Sequence, residues 1–286
     1  MDPKIIALYD EYTHAPLPRR VFLERLVALA GSSAAAAALL PMLDNNYANA
    51  AVVEPNDSRI GADVVRIALP GGTMAAYVAT PKDGPARRGG IVVIHENRGL
   101  NAHIEDVARR VALAGFTAVG VDMLHAQGGT PSDEDRAREM IGKVDRGAAV
   151  ADLAALVDWL RARPDANGRV GAIGFCWGGG MVNALAAAVP TLDAGVPFYG
   201  VVAPAADVPR IRAKLLLHYA GNDPRINAGI EGYEAALKAA GVAYTVHVYA
   251  GAEHAFHNDT AGARYDEAAA KLAWSRTIAF LQATLG

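Results

Sequence analysis

The chain has 286 residues, of which 52% are hydrophobic and 20% are charged. This composition fits a folded globular protein with a sizeable core and excludes a disordered chain. The formal net charge is −3 and no run of Lys or Arg forms a basic stripe, which argues against a nucleic-acid partner. The single cysteine excludes an intramolecular disulfide, so that residue is either a small buried apolar side chain or a reactive thiol.

The first 58 residues are predicted to be an N-terminal extension that precedes one domain over residues 59–286. Arg19 and Arg20, followed by an apolar stretch over residues 26–43, resemble a twin-arginine export leader. The small-x-small pattern over residues 48–50 would suit a signal peptidase. If this leader is functional, the protein is expected in the periplasm.

The same extension has features that a leader does not need. Residues 5–12 predict a short amphipathic helix ahead of the arginine pair. An ordered apolar helix has to bury its apolar face against its own chain or against a second copy, so a retained structural helix in a cytoplasmic protein and a homodimer through the extension are alternatives. Gly, Ser and Pro interrupt the apolar stretch, which argues against a stable membrane span.

Beyond residue 60 the chain alternates between strand-like and helix-like segments. Strands are predicted over residues 64–69, 74–79, 91–95, 116–121, 169–174, 194–198, 214–218 and 244–249. Helices are predicted over residues 104–114, 132–140 with Ser132 as N-cap, 148–161, 181–188, 230–239 and 265–281. This alternation predicts an α/β protein with a mostly parallel central sheet and helices on both faces. A hairpin at residues 70–72 predicts antiparallel strands at the N-terminal edge.

The strongest chemical signal is Gly174-Phe175-Cys176-Trp177-Gly178, which matches G-x-S-x-G with Cys in place of Ser. It lies between a predicted strand and a predicted helix, where this nucleophile elbow belongs in an α/β hydrolase. The sharp turn needs small residues two positions away on each side, and the helix N-terminus favours a thiolate. The alternative is a glycine-rich turn around a buried cysteine.

A nucleophile needs a base and an acid that orients it, and in this fold the chain order is nucleophile, acid, histidine. Asp223 follows a strand that runs into a tight turn, and His254 follows the last predicted strand. His257 is the rival base, only three residues further on. The rival acids Asp207 and Asp193 fit loop or capping roles better.

The oxyanion hole of such a site takes one backbone N–H from the residue after the nucleophile, which is Trp177. The second N–H is expected from the loop after the third strand, and Asn97 is the candidate there.

With these residues in view, the sequence resembles the dienelactone hydrolase family over about residues 60–285. The resemblance rests on the elbow with its cysteine, on Glu96 after His95, on Asp223 in Gly221-Asn222-Asp223, and on His254-Ala255-Phe256. It implies a Cys–His–Asp triad in which Glu96 is a fourth participant that holds the resting thiol and moves when substrate binds. A nearby carboxylate would keep the thiol protonated and protect it from oxidation. An ion pair with Arg98 is the structural alternative for Glu96.

The sequence departs from the family where its name-giving members hold the lactone carboxylate with two arginines. Asn258 lies four residues after the predicted catalytic histidine, and residues 122–127 contain no arginine. The departure argues against dienelactone itself as the substrate. Arg98 is the candidate cation, with Arg225 as a second, and Trp177, Tyr199 and Phe198 are candidate walls of the pocket.

The function predicted from these residues is hydrolysis of a small ester or lactone through an acyl-enzyme, with no metal and no organic cofactor. A thioesterase, a peptidase or a phosphotriester hydrolase on the same fold is the first alternative. A non-catalytic binding protein is the second alternative, and it would be expected to show a broken triad.

Overall fold

The structure is a computed structural model, and it describes residues 1–15, 17–47 and 52–286. The predicted processing pattern at residues 48–50 lies outside the described residues. The strands are β1 (Ile60–Leu69), β2 (Gly72–Pro81), β3 (Arg88–Ile94), β4 (Thr117–Gly120), β5 (Ala166–Phe175), β6 (Ala194–Phe198), β7 (Lys214–Ala220) and β8 (Tyr244–Tyr249). The helices are α1 (Pro3–His14), α2 (Arg19–Ala30), α3 (Ser33–Leu43), α4 (Ala102–Leu113), α5 (Glu134–Ile141), α6 (Arg146–Arg161), α7 (Trp177–Ala188), α8 (Pro224–Asn227), α9 (Ile230–Ala239) and α10 (Glu267–Leu285).

The strands form one sheet in the order β1-β2-β4-β3-β5-β6-β7-β8. The pairs β1–β2 and β2–β4 are antiparallel and the remaining pairs are parallel, which confirms the predicted mostly parallel sheet with an antiparallel N-terminal edge. Helices α6 and α7 pack on one face and α4 and α10 on the other. Burial on both faces explains why the central strand β3 is continuously apolar over residues 91–94.

One predicted cap is wrong. Helix α5 begins after Asp133 and not at Ser132, because the Asp133 carboxylate accepts a hydrogen bond from the Arg136 N–H at 2.9 Å. Either residue is a good N-cap by type, so composition alone does not choose between them.

The N-terminal extension folds into α1, α2 and α3, which confirms the predicted amphipathic helix and lengthens it to Pro3–His14. The three helices share a hydrophobic cluster of their own, formed by Ile5, Leu8, Tyr9, Tyr12, Phe22, Leu26, Ala36 and Leu43. The apolar face of α1 is therefore covered within this chain. Hydrogen bonds join this cluster to residues 59–286, which we call the catalytic body. One of them runs from Tyr12 Oη to the carboxylate of Asp135, at 2.7 Å.

Within the described ranges, none of the helices is by itself both long and apolar enough to cross a bilayer. Helices α2 and α3 taken together reach that length and composition, but the chain bends by 113° between them.

Candidate active site

Cys176 occupies a strained turn between β5 and α7. Its φ is 55°, a left-handed conformation that costs a side-chain-bearing residue on the order of 1–3 kcal/mol. The Cys176 N–H donates to the carbonyl oxygen of Phe198 at 3.0 Å, which fixes the turn to the neighbouring strand. A Cβ at Gly174 would overlap the Gly178 backbone, and a Cβ at Gly178 would overlap the carbonyl oxygens of Ile94 and His95. Close backbone approach is therefore the reason for both glycines of the elbow.

His254 and Asp223 form a buried pair beside this turn. His254 Nδ1 lies 2.5 Å from Asp223 Oδ2, while Asp223 Oδ1 accepts from the Ile226 N–H at 3.2 Å. The carboxylate contact assigns the proton of a neutral imidazole to Nδ1, so that Nε2 carries the lone pair. A ring nitrogen of His254 lies within 4.8 Å of Cys176 Sγ, and because Nδ1 is bound to Asp223, Nε2 is the atom left to act on the sulfur.

The surroundings of His254 favour its protonated form. Burial lowers the pKa of His254, but the Cys176 sulfur and the Asp223 carboxylate outweigh burial and raise the pKa to about 9. The imidazole is therefore held as an imidazolium near neutral pH. An imidazolium beside a sulfur nucleophile can stabilise the thiolate and can later donate a proton.

The rival base lies elsewhere. The ring of His257 is stacked on Phe175, with the centroids 5.0 Å apart, and its pKa is well below the usual histidine value, chiefly because of burial. The rival acids also lie apart from His254: Asp207 pairs with Arg210, and Asp193 with Arg161, on the surface. The structure thus places Cys176, His254 and Asp223 close to one another, and leaves His257, Asp207 and Asp193 outside this group.

The carboxylate of Glu96 is hydrogen-bonded to side chains other than the thiol. Its Oε2 accepts from Asn258 Nδ2 at 2.7 Å, and its Oε1 accepts from Tyr199 Oη at 3.4 Å. The alternative ion pair between Glu96 and Arg98 is not formed, since Arg98 pairs with Glu134 and donates to Tyr9 Oη at 2.7 Å. Asn258, noted in the sequence only as a departure from an arginine pattern, is the partner that holds Glu96.

The closest side-chain partner of the sulfur comes from the N-terminal extension. His14 Nε2, at the end of α1, lies 3.1 Å from Cys176 Sγ. The rings of His14 and His254 meet edge to face with centroids 4.5 Å apart. Sequence reasoning missed His14, because it lies 162 positions before Cys176 in a segment with the pattern of a leader. The donor atoms of His14, Cys176 and His254 lie within 4.8 Å of one another and could also hold a soft cation such as Zn²⁺.

A cavity of about 550 Å³ opens beside Cys176. Asn97, Trp177 and Tyr199, three residues predicted from the sequence to belong to the site, are among those that line it. Phe198 is fully buried and packs against Phe175 and His218 in the core behind the turn. The cavity is lined by four cations and one acidic residue, namely Arg138, Lys143, Arg146, Arg225 and Glu139. Arg98, the first candidate cation from the sequence, does not line this cavity. Of the four basic side chains that line it, Arg225 is the one that the sequence analysis names.

The strand order, the strained turn after β5 and the buried imidazole–carboxylate pair define an enzyme of the α/β-hydrolase fold. The chain belongs to the dienelactone hydrolase family, whose model matches residues 74–285. The family predicted from the sequence is thereby confirmed, and the protein is a hydrolase.

Relatives and solved structures agree with this assignment. A Salmonella typhi protein provisionally named carboxymethylenebutenolidase is 31% identical over 242 residues, which cover 79% of this chain and 89% of that protein. The crystal structure of a Klebsiella pneumoniae protein provisionally named dienelactone hydrolase superposes with a TM-score of 0.71 at 29% identity, over 78% of this chain and 98% of that one. A dienelactone hydrolase-like promiscuous phosphotriesterase from metagenomic libraries superposes with a TM-score of 0.71 at 26% identity, over 80% of this chain and all of that one.

Proposed function

We propose that this protein hydrolyses small carboxylic esters or lactones through an acyl-enzyme formed on Cys176. The observation that carries the proposal is the buried Asp223–His254 pair, whose imidazole lies beside the sulfur on a strained strand-to-helix turn. A nucleophile, a base and an orienting acid in this arrangement are the parts that acyl transfer requires. The names of the relatives, which refer to lactone hydrolysis, support the same class of reaction.

Acylation would begin when the Cys176 thiol loses its proton and the resulting thiolate attacks the ester carbonyl carbon. The carbonyl oxygen then becomes an oxyanion, which the backbone N–H groups of Asn97 and Trp177 are proposed to stabilise. When the tetrahedral intermediate collapses, the bond to the leaving oxygen breaks and that alkoxide takes a proton from the His254 imidazolium. The acid portion of the substrate remains as a thioester on Cys176.

Deacylation would use the same imidazole as a base. Neutral His254 takes a proton from water as the water oxygen attacks the thioester carbonyl, and collapse of the second intermediate releases the carboxylic acid and the thiolate. Asp223 keeps Nδ1 protonated in both steps, so that Nε2 faces the reacting atoms. Asp223 thus acts through the position and tautomer of His254.

Basic side chains around the cavity favour substrates that carry an acidic group remote from the scissile bond. Arg225 is the nearest of these cations in sequence to Asp223, and its side chain is 39% exposed. A carboxylate on the substrate would find several donors there without displacing a buried ion pair.

A substrate panel tests the proposed reaction class. The panel contains an acetate ester, a succinate half-ester, a five-membered lactone, a thioester, an anilide and a phosphotriester. We expect oxygen esters and lactones to be turned over, and the half-ester to have a lower KM than the acetate. Turnover of the phosphotriester alone would contradict the proposal and would favour a phosphotriesterase instead, a reaction named for one structurally similar protein.

The pH dependence of alkyl-ester hydrolysis follows from His254. Its folded-state pKa is raised to about 9, so the imidazolium that protonates the leaving alkoxide is present at neutral pH and is lost as pH rises through 9. We expect kcat/KM for an alkyl ester to fall tenfold per pH unit above that point, as measured by initial rates. An aryl ester with a good leaving group needs this proton less and serves as the control; equal falls for both esters would contradict the assignment.

A further inference from the structure

His14 is held in one tautomer by its surroundings. Its Nδ1 lies 2.9 Å from Asp10 Oδ1 and 2.9 Å from the Asp10 carbonyl oxygen, and both atoms can only accept. The proton of a neutral His14 is therefore on Nδ1, and the lone pair of Nε2 points at the Cys176 sulfur 3.1 Å away. In this tautomer His14 can accept the thiol proton.

The pair Asp10–His14 repeats the chemistry of Asp223–His254. In each pair a carboxylate contacts Nδ1, and in each the imidazole lies beside the same sulfur. The carboxylate of Asp10 is itself stabilised: burial raises its pKa, but the hydrogen bond from His14 and the nearby cations outweigh burial and lower it far below the usual value. Asp10 therefore remains charged and can stabilise an imidazolium at His14.

Helix α1 is anchored at the site by side chains of the catalytic body. Asn97 Nδ2 donates to the carbonyl oxygen of Thr13 at 2.7 Å, next to His14. One turn earlier, Arg98 donates to Tyr9 Oη at 2.7 Å. Asp10 lies 3.6 Å from the Arg225 guanidinium. Asn97, Arg98 and Arg225 thus all contact the helix that carries His14. These contacts fix the position of the His14 ring relative to the sulfur.

The remaining candidate partner of the resting thiol is occupied elsewhere. Both carboxylate oxygens of Glu96 are bound, one by Asn258 and the other by Tyr199. Turning Glu96 toward Cys176 would leave the buried Asn258 amide without its acceptor, which is unfavourable. His14 already contacts the sulfur and needs no such change.

We propose that His14 and Asp10 form a second catalytic dyad, and that His14 accepts the Cys176 thiol proton during acylation. This inference rests on the proposed function of Cys176 as the nucleophile. The S–H bond breaks as its proton passes to His14 Nε2, and the sulfur forms its bond to the carbonyl carbon while His254 gives a different proton to the leaving alkoxide. After hydrolysis of the thioester, His14 returns its proton to the thiolate. Two imidazoles thus act as base and acid in the same step.

The proposed second dyad depends on the N-terminal extension. His14 precedes the predicted processing pattern at residues 48–50, and Arg19 of the twin-arginine pair is bound to Asp135 at 2.7 Å. The second dyad therefore exists only while helices α1 to α3 stay with the catalytic body.

The test compares the full-length chain with the His14→Gln variant, which keeps side-chain bulk at the site but supplies no base. The first readout is the rate of Cys176 alkylation by iodoacetamide at mildly acidic pH, and the second is the amplitude and rate of the acylation burst with an aryl ester. A positioned base contributes about 10²-fold or more, so we expect both rates to fall by about 10²-fold. Asp10→Asn should also lower both rates, by a smaller factor than His14→Gln does.

Glu11→Gln is the matched control on the same helix. It breaks the surface ion pair between Glu11 and Arg25 at 2.7 Å but touches no atom of the site, so both rates should equal those of the unaltered chain. An unchanged or faster alkylation in His14→Gln would overturn the inference, and so would an equal loss in Glu11→Gln, which would show that α1 acts only through packing. Failure of the proposed function can be told apart from failure of the dyad. If the proposed function is wrong, no ester acylates Cys176 even in the unaltered chain.

Discussion

Replacing Cys176 by alanine is expected to lower kcat for short aryl esters by at least about 10⁴-fold, since the proposed nucleophile that forms the acyl-enzyme is removed. Cys176 lines the cavity, and ring nitrogens of both His14 and His254 lie within 4.8 Å of its sulfur. Steady-state rates at saturating ester measure the loss. The remaining rate would come from transition-state binding in the cavity alone.

The substitution removes one sulfur atom from a side chain that is 8% exposed, and the fold should survive it. Thermal melting checks that point, and Cys176→Ser gives a second comparison with an oxygen nucleophile in the same place. If Cys176→Ala retained more than a tenth of the original rate in a folded protein, water or another residue would have to be the nucleophile.

Replacing Asp223 by asparagine is expected to lower kcat by on the order of 10³–10⁴-fold, although the shape of the side chain is nearly unchanged. Asp223 Oδ1 accepts from the Ile226 N–H, so an asparagine would keep its oxygen there and turn its NH₂ group toward His254. That NH₂ group donates to Nδ1 and forces the imidazole proton onto Nε2. His254 could then no longer accept a proton from water, and deacylation would slow.

Asp207→Asn is the matched control, because Asp207 is the rival acid of the sequence and pairs with Arg210 on the surface. Its rates should equal those of the unaltered chain. Intact-protein mass spectrometry adds a distinguishing readout: Asp223→Asn should accumulate acylated protein during turnover. An equal loss in the two variants would contradict the role given to Asp223.

The elbow and its two partners could be predicted because the signals are local. A strand, a glycine on either side of the nucleophile and a following helix lie within one continuous segment around Cys176. Asp223 and His254 each follow a strand, and the carboxyl ends of parallel strands meet at one edge of the sheet. The motif, the strand pattern and the chain order therefore indicate in which part of the sheet these three side chains lie.

The remaining parts of the site depend on tertiary packing that no local pattern records. His14 reaches the sulfur only because α1 docks on the catalytic body, and α1 belongs to an N-terminal extension that also carries a leader-like pattern. The partner of Glu96 could not be chosen by sequence proximity: Arg98 lies two positions away, yet it binds Glu134 and Tyr9, while Asn258 reaches Glu96 from 162 positions further on. Long-range contacts of this kind decide which charges face the cavity.

The central claim is that an ester acylates Cys176, and site-resolved mass spectrometry after a rapid acid quench measures this directly. The unaltered chain is mixed with a slowly hydrolysed aryl ester, quenched within the burst, digested and mapped. The account predicts one acyl group, as a hydroxylamine-sensitive thioester, on the peptide that contains Cys176. Steady turnover with Cys176 unmodified, or with the acyl group on any other residue, would contradict it.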